Sequence, residues 1–106
     1  MQDRFDLRPF QSYAKLMNSQ WFVYLLRCAD DTLYCGITTD VDRRLAQHNA
    51  GSASKYTRTR TPVRMEIFRP VESKSQALKT EYRIKNLPRE KKVPFLQAMP
   101  IKLKTA

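Results

Sequence analysis

The sequence has two glycines, two cysteines, one histidine and one tryptophan among its 106 residues, and its longest apolar run is the six-residue stretch Trp21-Phe-Val-Tyr-Leu-Leu26. That run is far short of the roughly 20 residues a membrane-spanning helix needs. Residues 1–20 hold no continuous apolar segment of the signal-peptide kind, so a cytoplasmic protein without a membrane partner is expected. In that reducing compartment the spacing of Cys28 and Cys35 fits neither a CxxC redox motif nor a four-ligand zinc site. Both are expected to be small buried hydrophobes. With so little glycine and six prolines, the chain is neither collagen-like nor of low complexity. Acidic residues are also scarce: ten Asp and Glu face twenty Lys and Arg, a formal charge of +10. An excess of that size sets up a field that draws polyanions, which makes nucleic acid the leading partner. A ribosome-associated or membrane-surface protein would share the same charge. With 42% hydrophobic residues, the length suits one compact core and a monomer is the default.

Residues 1–20 show a weak helical spacing from Phe10 to Met17 and are read as an extension. The aromatic and β-branched stretch Trp21–Arg27 predicts a strand covered on both faces. Turn residues at 29–32 and a second apolar stretch over 33–38 complete a β-hairpin. Thr39 or Asp40 can cap a helix that Gly51 ends, with Val41, Leu45 and His48 on one stripe. A basic loop rich in Ser and Thr spans 52–62. Val63, Met65 and Ile67 then alternate with polar residues, which predicts a third, half-buried strand closing near Pro70. A second long helix begins near Ser73 to Ser75 and ends at Pro88, its stripe formed by Ala77, Leu78, Ile84 and Leu87. Residues 89–99 form either a short helix or, because Pro94 lacks a backbone donor, irregular chain. The expected fold is α+β in the order ββαβα, with a domain over 21–92 and a basic tail over 93–106.

Glu81 falls between Ala77, Leu78 and Ile84 on the stripe directed at the core, where a carboxylate is costly unless something positive satisfies it. It reads either as an ordinary helical pair with Lys85 or as a ligand for Mg²⁺, which takes one or two carboxylates and keeps its remaining waters. Tyr24 and Tyr34 lie on the two hairpin strands, where aromatic residues are common for structural reasons alone. Gly36 sharpens the functional reading, because a glycine inside a strand often marks a close approach by backbone or ligand. Arg44 and His48, four apart on the first helix, share a face that can turn back to the hairpin.

In order, Val23-Tyr24-Leu25, Tyr34-Cys35-Gly36, Arg44, His48, Lys55-Tyr56-Thr57-Arg58 and Glu81-Tyr-Arg-Ile84-Lys85 closely resemble the GIY-YIG nuclease motif over roughly residues 20 to 92, in its small stand-alone bacterial form. Val23 and Leu25 stand where the motif's name has Gly and Ile. Asn86 lies too near Glu81 to match the asparagine that several nuclease branches carry. The resemblance implies a three-stranded antiparallel sheet flanked by helices, and hydrolysis in which a tyrosine-associated base activates water against a phosphodiester. It further implies that Tyr24 and Tyr34 are the motif tyrosines, Arg44 steadies the phosphate and Glu81 holds a divalent ion, Mg²⁺ or alternatively Mn²⁺. His48 would orient a tyrosine or the water.

Two further functions stay open: a non-catalytic nucleic-acid-binding module on the same scaffold, and a protein- or ribosome-associated domain. For either nucleic-acid reading, DNA is expected ahead of RNA. Backbone contacts are expected from Lys55, Arg58, Arg60 and Arg64, and from Arg89, Lys91 and Lys92. The hydroxyls of Ser52, Ser54, Thr57, Thr59 and Thr61, interleaved with the loop cations, suit phosphate oxygens too.

Overall fold

A computed structural model describes residues 20–103; the expected extension, apart from Gln20, and the last three residues of the expected tail lie outside the described residues. Strands β1 (Trp21–Arg27), β2 (Leu33–Thr38) and β3 (Arg64–Val71) form one antiparallel sheet in the order β2-β1-β3. Helices α1 (Val41–Asn49) and α2 (Lys55–Arg58) lie between β2 and β3 in the chain, and α3 (Lys74–Lys85) and α4 (Arg89–Ala98) follow β3. The three-stranded sheet flanked by helices is as expected. None of the described helices is long and apolar enough to cross a membrane.

Central β1 is buried on both faces, and its alternating side chains divide the core. Val23 and Leu25 join Cys35, Ala77, Ile84 and Leu96 in an aliphatic cluster under α3 and α4. Tyr24 and Leu26 point the other way, into a cluster with Cys28 and Val63 that Tyr34 and Leu45 pack against. Phe22 and Val41 extend that second face. Both cysteines are free and buried, as their spacing suggested.

The third strand departs from simple alternation. Leu25 pairs with Ile67 but Leu26 pairs with Met65, so Glu66 is an extra residue in a β-bulge. Because a bulge shifts the period by one, Ile67 packs with Leu25 while Val63 and Met65 pack on the tyrosine face. Pro70 is tolerated inside β3 because the strand is an edge.

Caps fix the helix starts. Asp40, not Thr39, accepts the Arg43 amide at α1, and Ser73 accepts the Gln76 amide at α3. Gly51, just past α1, has φ +82°, the left-handed conformation in which glycine carries no Cβ penalty. The stripe expected for α3 needs one correction: Leu78 is 47% exposed, and Ala77 and Ile84 alone are fully buried. At 100° per residue, Ala77, Glu81 and Ile84 share the inward face and Leu78 turns off it. The residues after 92, expected as tail, remain helical through Pro94 to Ala98 and deliver Leu96, fully buried, to the aliphatic core. Proline removes one helical hydrogen bond; burial of Leu96, with Val93 and Phe95 packed beside it, offsets that loss.

Candidate active site

The polar side chains of the tyrosine face meet beneath the hairpin. Tyr24 lies mid-β1 opposite Gly36 of β2, and a Cβ built on Gly36 would stand 2.4 Å from the Tyr24 hydroxyl. No real Cβ contact is that short, so the glycine makes room for the phenol. The close approach expected at Gly36 is to a side chain of its own domain.

One turn of α1 separates Arg44 from His48, which aims both at that phenol. The Tyr24 hydroxyl lies 2.8 Å from His48 Nε2, and Arg44 Nε donates to it at 3.4 Å. Arg44 Nη1 also donates to Gln47 Oε1 at 3.1 Å. His48 Nδ1 is 2.7 Å from Thr57 Oγ1 on α2, the short helix that Ser54 caps by accepting the Thr57 amide. His48 and Thr57 are fully buried and Tyr24 is 1% exposed. Burial pushes the Tyr24 phenol up to about 12, against the pull of the Arg44 hydrogen bond and charge. Burial, followed by the Arg44 charge, pulls His48 down to about 4. Near neutral pH this site therefore holds a phenol and a neutral imidazole.

Tyr34 is the half-exposed tyrosine. Its ring meets His48 edge-on at a centroid distance of 5.2 Å and stacks on Tyr56 at 5.9 Å. Arg60 covers Tyr56 with its guanidinium 3.9 Å from the ring centroid, and is itself held by Asp30 of the hairpin turn at 2.9 Å.

Glu81 approaches β2 from the other face. Its carboxylate adds to burial in pushing Cys35, the residue after Tyr34, up to about 12. Its Oε2 lies 3.4 Å from Lys85 Nζ, and that ammonium is 5.9 Å from the Tyr34 ring centroid. Lys85 thus links the two sides at the free edge of β2. Tyr24, Tyr34, Arg44 and His48 form one cluster, with Glu81 beyond Lys85 at its rim. Among the described residues no three His, Cys, Asp or Glu side chains gather into a metal cage. The donor set does not fit a structural zinc. One partly buried carboxylate beside an open edge does fit a Mg²⁺-like ion that keeps most of its waters and shares substrate oxygens.

The seven cations expected to meet a nucleic-acid backbone differ in their surroundings. Lys55, Arg58 and Lys91 are exposed. Arg64 lies 3.7 Å from Glu66. Arg60 and Arg89 bind Asp30 and Asp31 of the hairpin turn. Lys92 Nζ donates to the Ile84 carbonyl at 2.7 Å and the Lys85 carbonyl at 3.3 Å, closing the C-terminal end of α3. Thr57, grouped by sequence with phosphate-facing hydroxyls, is instead buried against His48. Sequence reasoning missed its role, and those of Ser54 and Gln47. The Ser-x-x-Thr spacing of residues 54–57 was the one local sign, since it marks a capped turn.

An α+β domain built on a three-stranded antiparallel sheet flanked by helices is the architecture that the motif resemblance implied. Residues 20–93 match the family model described as the GIY-YIG catalytic domain, and the chain belongs to that family, within a nuclease superfamily. It is 54% identical over 70 residues to a UPF0213 protein of Halobacterium salinarum, covering 66% of this chain and 91% of that protein. A UPF0213 protein of Vibrio cholerae is 51% identical over 82 residues, 76% of this chain and 81% of its own length. The solution NMR structure of an E. faecalis protein, 39% identical, superposes with a TM-score of 0.53 over 74% of this chain and 83% of that one.

Proposed function

We propose that this chain is a metal-dependent endonuclease that hydrolyses nucleic-acid phosphodiesters, DNA ahead of RNA, acting as a monomer in the cytoplasm. The observation that carries the reading is the hydrogen-bonded chain Arg44–Tyr24–His48–Thr57, with the half-exposed Tyr34 edge-on against His48. A fully buried imidazole bonded through both ring nitrogens and a phenol given room by Gly36 are more than packing requires.

In this reading the scissile phosphate sits over Tyr34. Arg44 has more donors than its bonds to Tyr24 and Gln47 use, and its planar fork matches two phosphate oxygens. Water attacks phosphorus, the bond to the leaving sugar oxygen breaks, and the water proton passes to a tyrosine-associated base in the Tyr34–His48–Tyr24 cluster. Tyr24 is closed to solvent and acts through the partners it holds. Glu81 would be the one protein ligand of the divalent ion, Mg²⁺ or Mn²⁺, whose chemistry when bound is to neutralise charge on the phosphoryl oxygens. Lys55, Arg58, Arg60, Arg64, Arg89, Lys91 and Lys92 would contact the backbone.

The ion pair between Lys85 and Glu81 favours a second reading, a binding module whose carboxylate is an ordinary helical partner. One experiment separates them: cleavage of single-stranded, duplex and branched DNA and RNA with Mg²⁺, Mn²⁺ or EDTA, for the parent and for Glu81→Gln. Metal-stimulated cutting that Glu81→Gln abolishes, with binding retained, is expected. Binding with no cutting under any metal would leave the module reading.

A further inference from the structure

We infer that Thr57, held by Ser54, is a positioning residue that fixes the tautomer of His48, placing the ring proton on Nδ1 and leaving the Nε2 lone pair to accept a hydrogen bond from the Tyr24 phenol. The catalytic consequence rests on the nuclease reading; the tautomer itself does not.

Both ends of the chain of hydrogen bonds fit the same direction. At the far end, Thr57 Oγ1 lies within reach of three groups: His48 Nδ1 at 2.7 Å, Ser54 Oγ at 3.0 Å and the Ser54 carbonyl at 3.5 Å. A carbonyl oxygen only accepts, so Ser54 offers the threonine proton an acceptor and leaves the hydroxyl lone pairs free for a His48 Nδ1–H donor. At the near end, Tyr24 Oη already accepts from Arg44 Nε, and a guanidinium cannot accept in return. The phenol proton then points to His48 Nε2, 2.8 Å away. Which imidazole nitrogen carries the proton is set by the bond the other nitrogen makes, and here the two bonds agree.

The arrangement also fixes the Tyr24 hydroxyl. Its proton is held by Nε2, its oxygen by Arg44, and the other ring nitrogen by Thr57, so the phenol and the imidazole each keep one orientation. A buried methyl at position 57 would leave Nδ1–H without that acceptor, and the ring would shift towards the ε-protonated form, which offers Tyr24 a donor in place of an acceptor. The four-residue helix α2 and its Ser54 cap thus set a hydroxyl against the ring.

His48 is the single histidine of the chain, so its ring nitrogens can be read without assignment ambiguity. Imidazole ¹⁵N correlation spectra of the full chain near pH 7 should show a protonated Nδ1 and an unprotonated Nε2. Thr57→Ser keeps the hydroxyl and should keep both this signature and turnover. Thr57→Val should give a mixed or reversed tautomer and turnover lower by roughly 10- to 100-fold, the range typical of outer partners that orient metal-bound histidines, with KM and binding in EDTA little changed. A parent spectrum with the proton on Nε2 overturns the inference without need of any variant, and so does a folded Thr57→Val protein with parental tautomer and turnover. The expected spectra in a parent chain that cuts nothing would support Thr57's hold on His48 and count against the nuclease reading alone.

Discussion

The two faces of the sheet are built from the same strand and do different work. Towards α3 and α4, β1 offers Val23 and Leu25 to a dry aliphatic cluster with Ala77, Ile84 and Leu96. Towards α1 and α2 it offers Tyr24 to an imidazole, a guanidinium and, through His48, a threonine hydroxyl. Dispersion and area burial make the first face stable whatever its exact side chains, provided volume is kept. The second face works only if every donor finds its acceptor, because a buried polar group left unpaired costs about 1–3 kcal/mol. The apolar core and the polar cluster are thereby separated by a single residue step along β1.

The largest expected effect tests that separation on the dry side. Ile84→Ala should cost about 2–5 kcal/mol of unfolding free energy, because a fully buried side chain leaves a cavity that the sheet and α4 fill only partly. Denaturant titration measures the loss, and cutting per folded molecule should be unchanged. A folded Ile84→Ala protein that has lost its turnover would break the division between the faces. Gly36→Ala sharpens the same comparison from the polar side. Its Cβ would meet the Tyr24 hydroxyl, so we expect about 1–3 kcal/mol of overpacking destabilisation and loss of cutting from whatever stays folded. Parental turnover in Gly36→Ala would show that the Tyr24 hydroxyl need not sit where it does.

The contrast in origin also explains how far the residues alone reached. The dry face and the hairpin were legible because they are local: β-branched and aromatic runs, a polar turn, and the caps at Asp40 and Ser73. The tyrosines, Arg44, His48 and Glu81 could be singled out from their spacing and order. The bond between Tyr24 and His48 could not be, since it depends on where α1 lies across the sheet. The bulge at Glu66 was hidden because apolar alternation continues through it while the faces exchange. Leu78 reads as part of the stripe beside Ala77 because apolar character alone does not say which of two adjacent residues the helix turns inward; Ala77 is the one that is buried. Pro94 argued against a helix on local grounds, and Leu96, buried against a strand some 70 residues earlier in the chain, outweighed it. Thr57 was grouped with surface hydroxyls because its partner lies on another helix.

Acid should weaken the polar face in particular. The His48 pKa is depressed from 6.5 to about 4 in the folded chain, so the unfolded chain binds the extra proton between those values. The stability this group contributes is fully present above pH 6.5 and is lost as pH falls from there towards 4, at most about 1.4 kcal/mol per pH unit for one proton. Thermal unfolding followed from pH 7.5 to 4.5 measures it. His48→Gln should flatten the slope over that window, whereas Ile84→Ala should lower the whole curve and keep its shape. A parallel curve for His48→Gln would assign the acid sensitivity to other groups.

The smallest expected effect separates cations already bound within the protein from those facing solvent. Lys55 and Arg58 are exposed on α2, while Arg60, two residues on, is held by Asp30 at 2.9 Å and covers Tyr56. To meet a phosphate, Arg60 must share or leave a carboxylate that already neutralises it, so the net charge it brings to the backbone is smaller than that of its neighbours. Each phosphate neutralised on duplex DNA steepens the fall of log affinity against log salt by about 0.9. Lys55→Ala with Arg58→Ala should therefore make the slope shallower by about 2, whereas Arg60→Ala alone should change it by well under one unit. Binding titrations over a range of salt, in EDTA to prevent cutting, would measure both variants against the parent. A full-unit change for Arg60→Ala would mean that Asp30 releases its partner to the nucleic acid and that the hairpin turn is part of the binding surface. Equal slopes for the double variant and the parent would put the phosphate contacts elsewhere, with Lys91 and Arg64 next to be tested. The outcome follows from one difference in surroundings, since the three cations lie within six residues of one another and differ chiefly in whether a carboxylate reached them first.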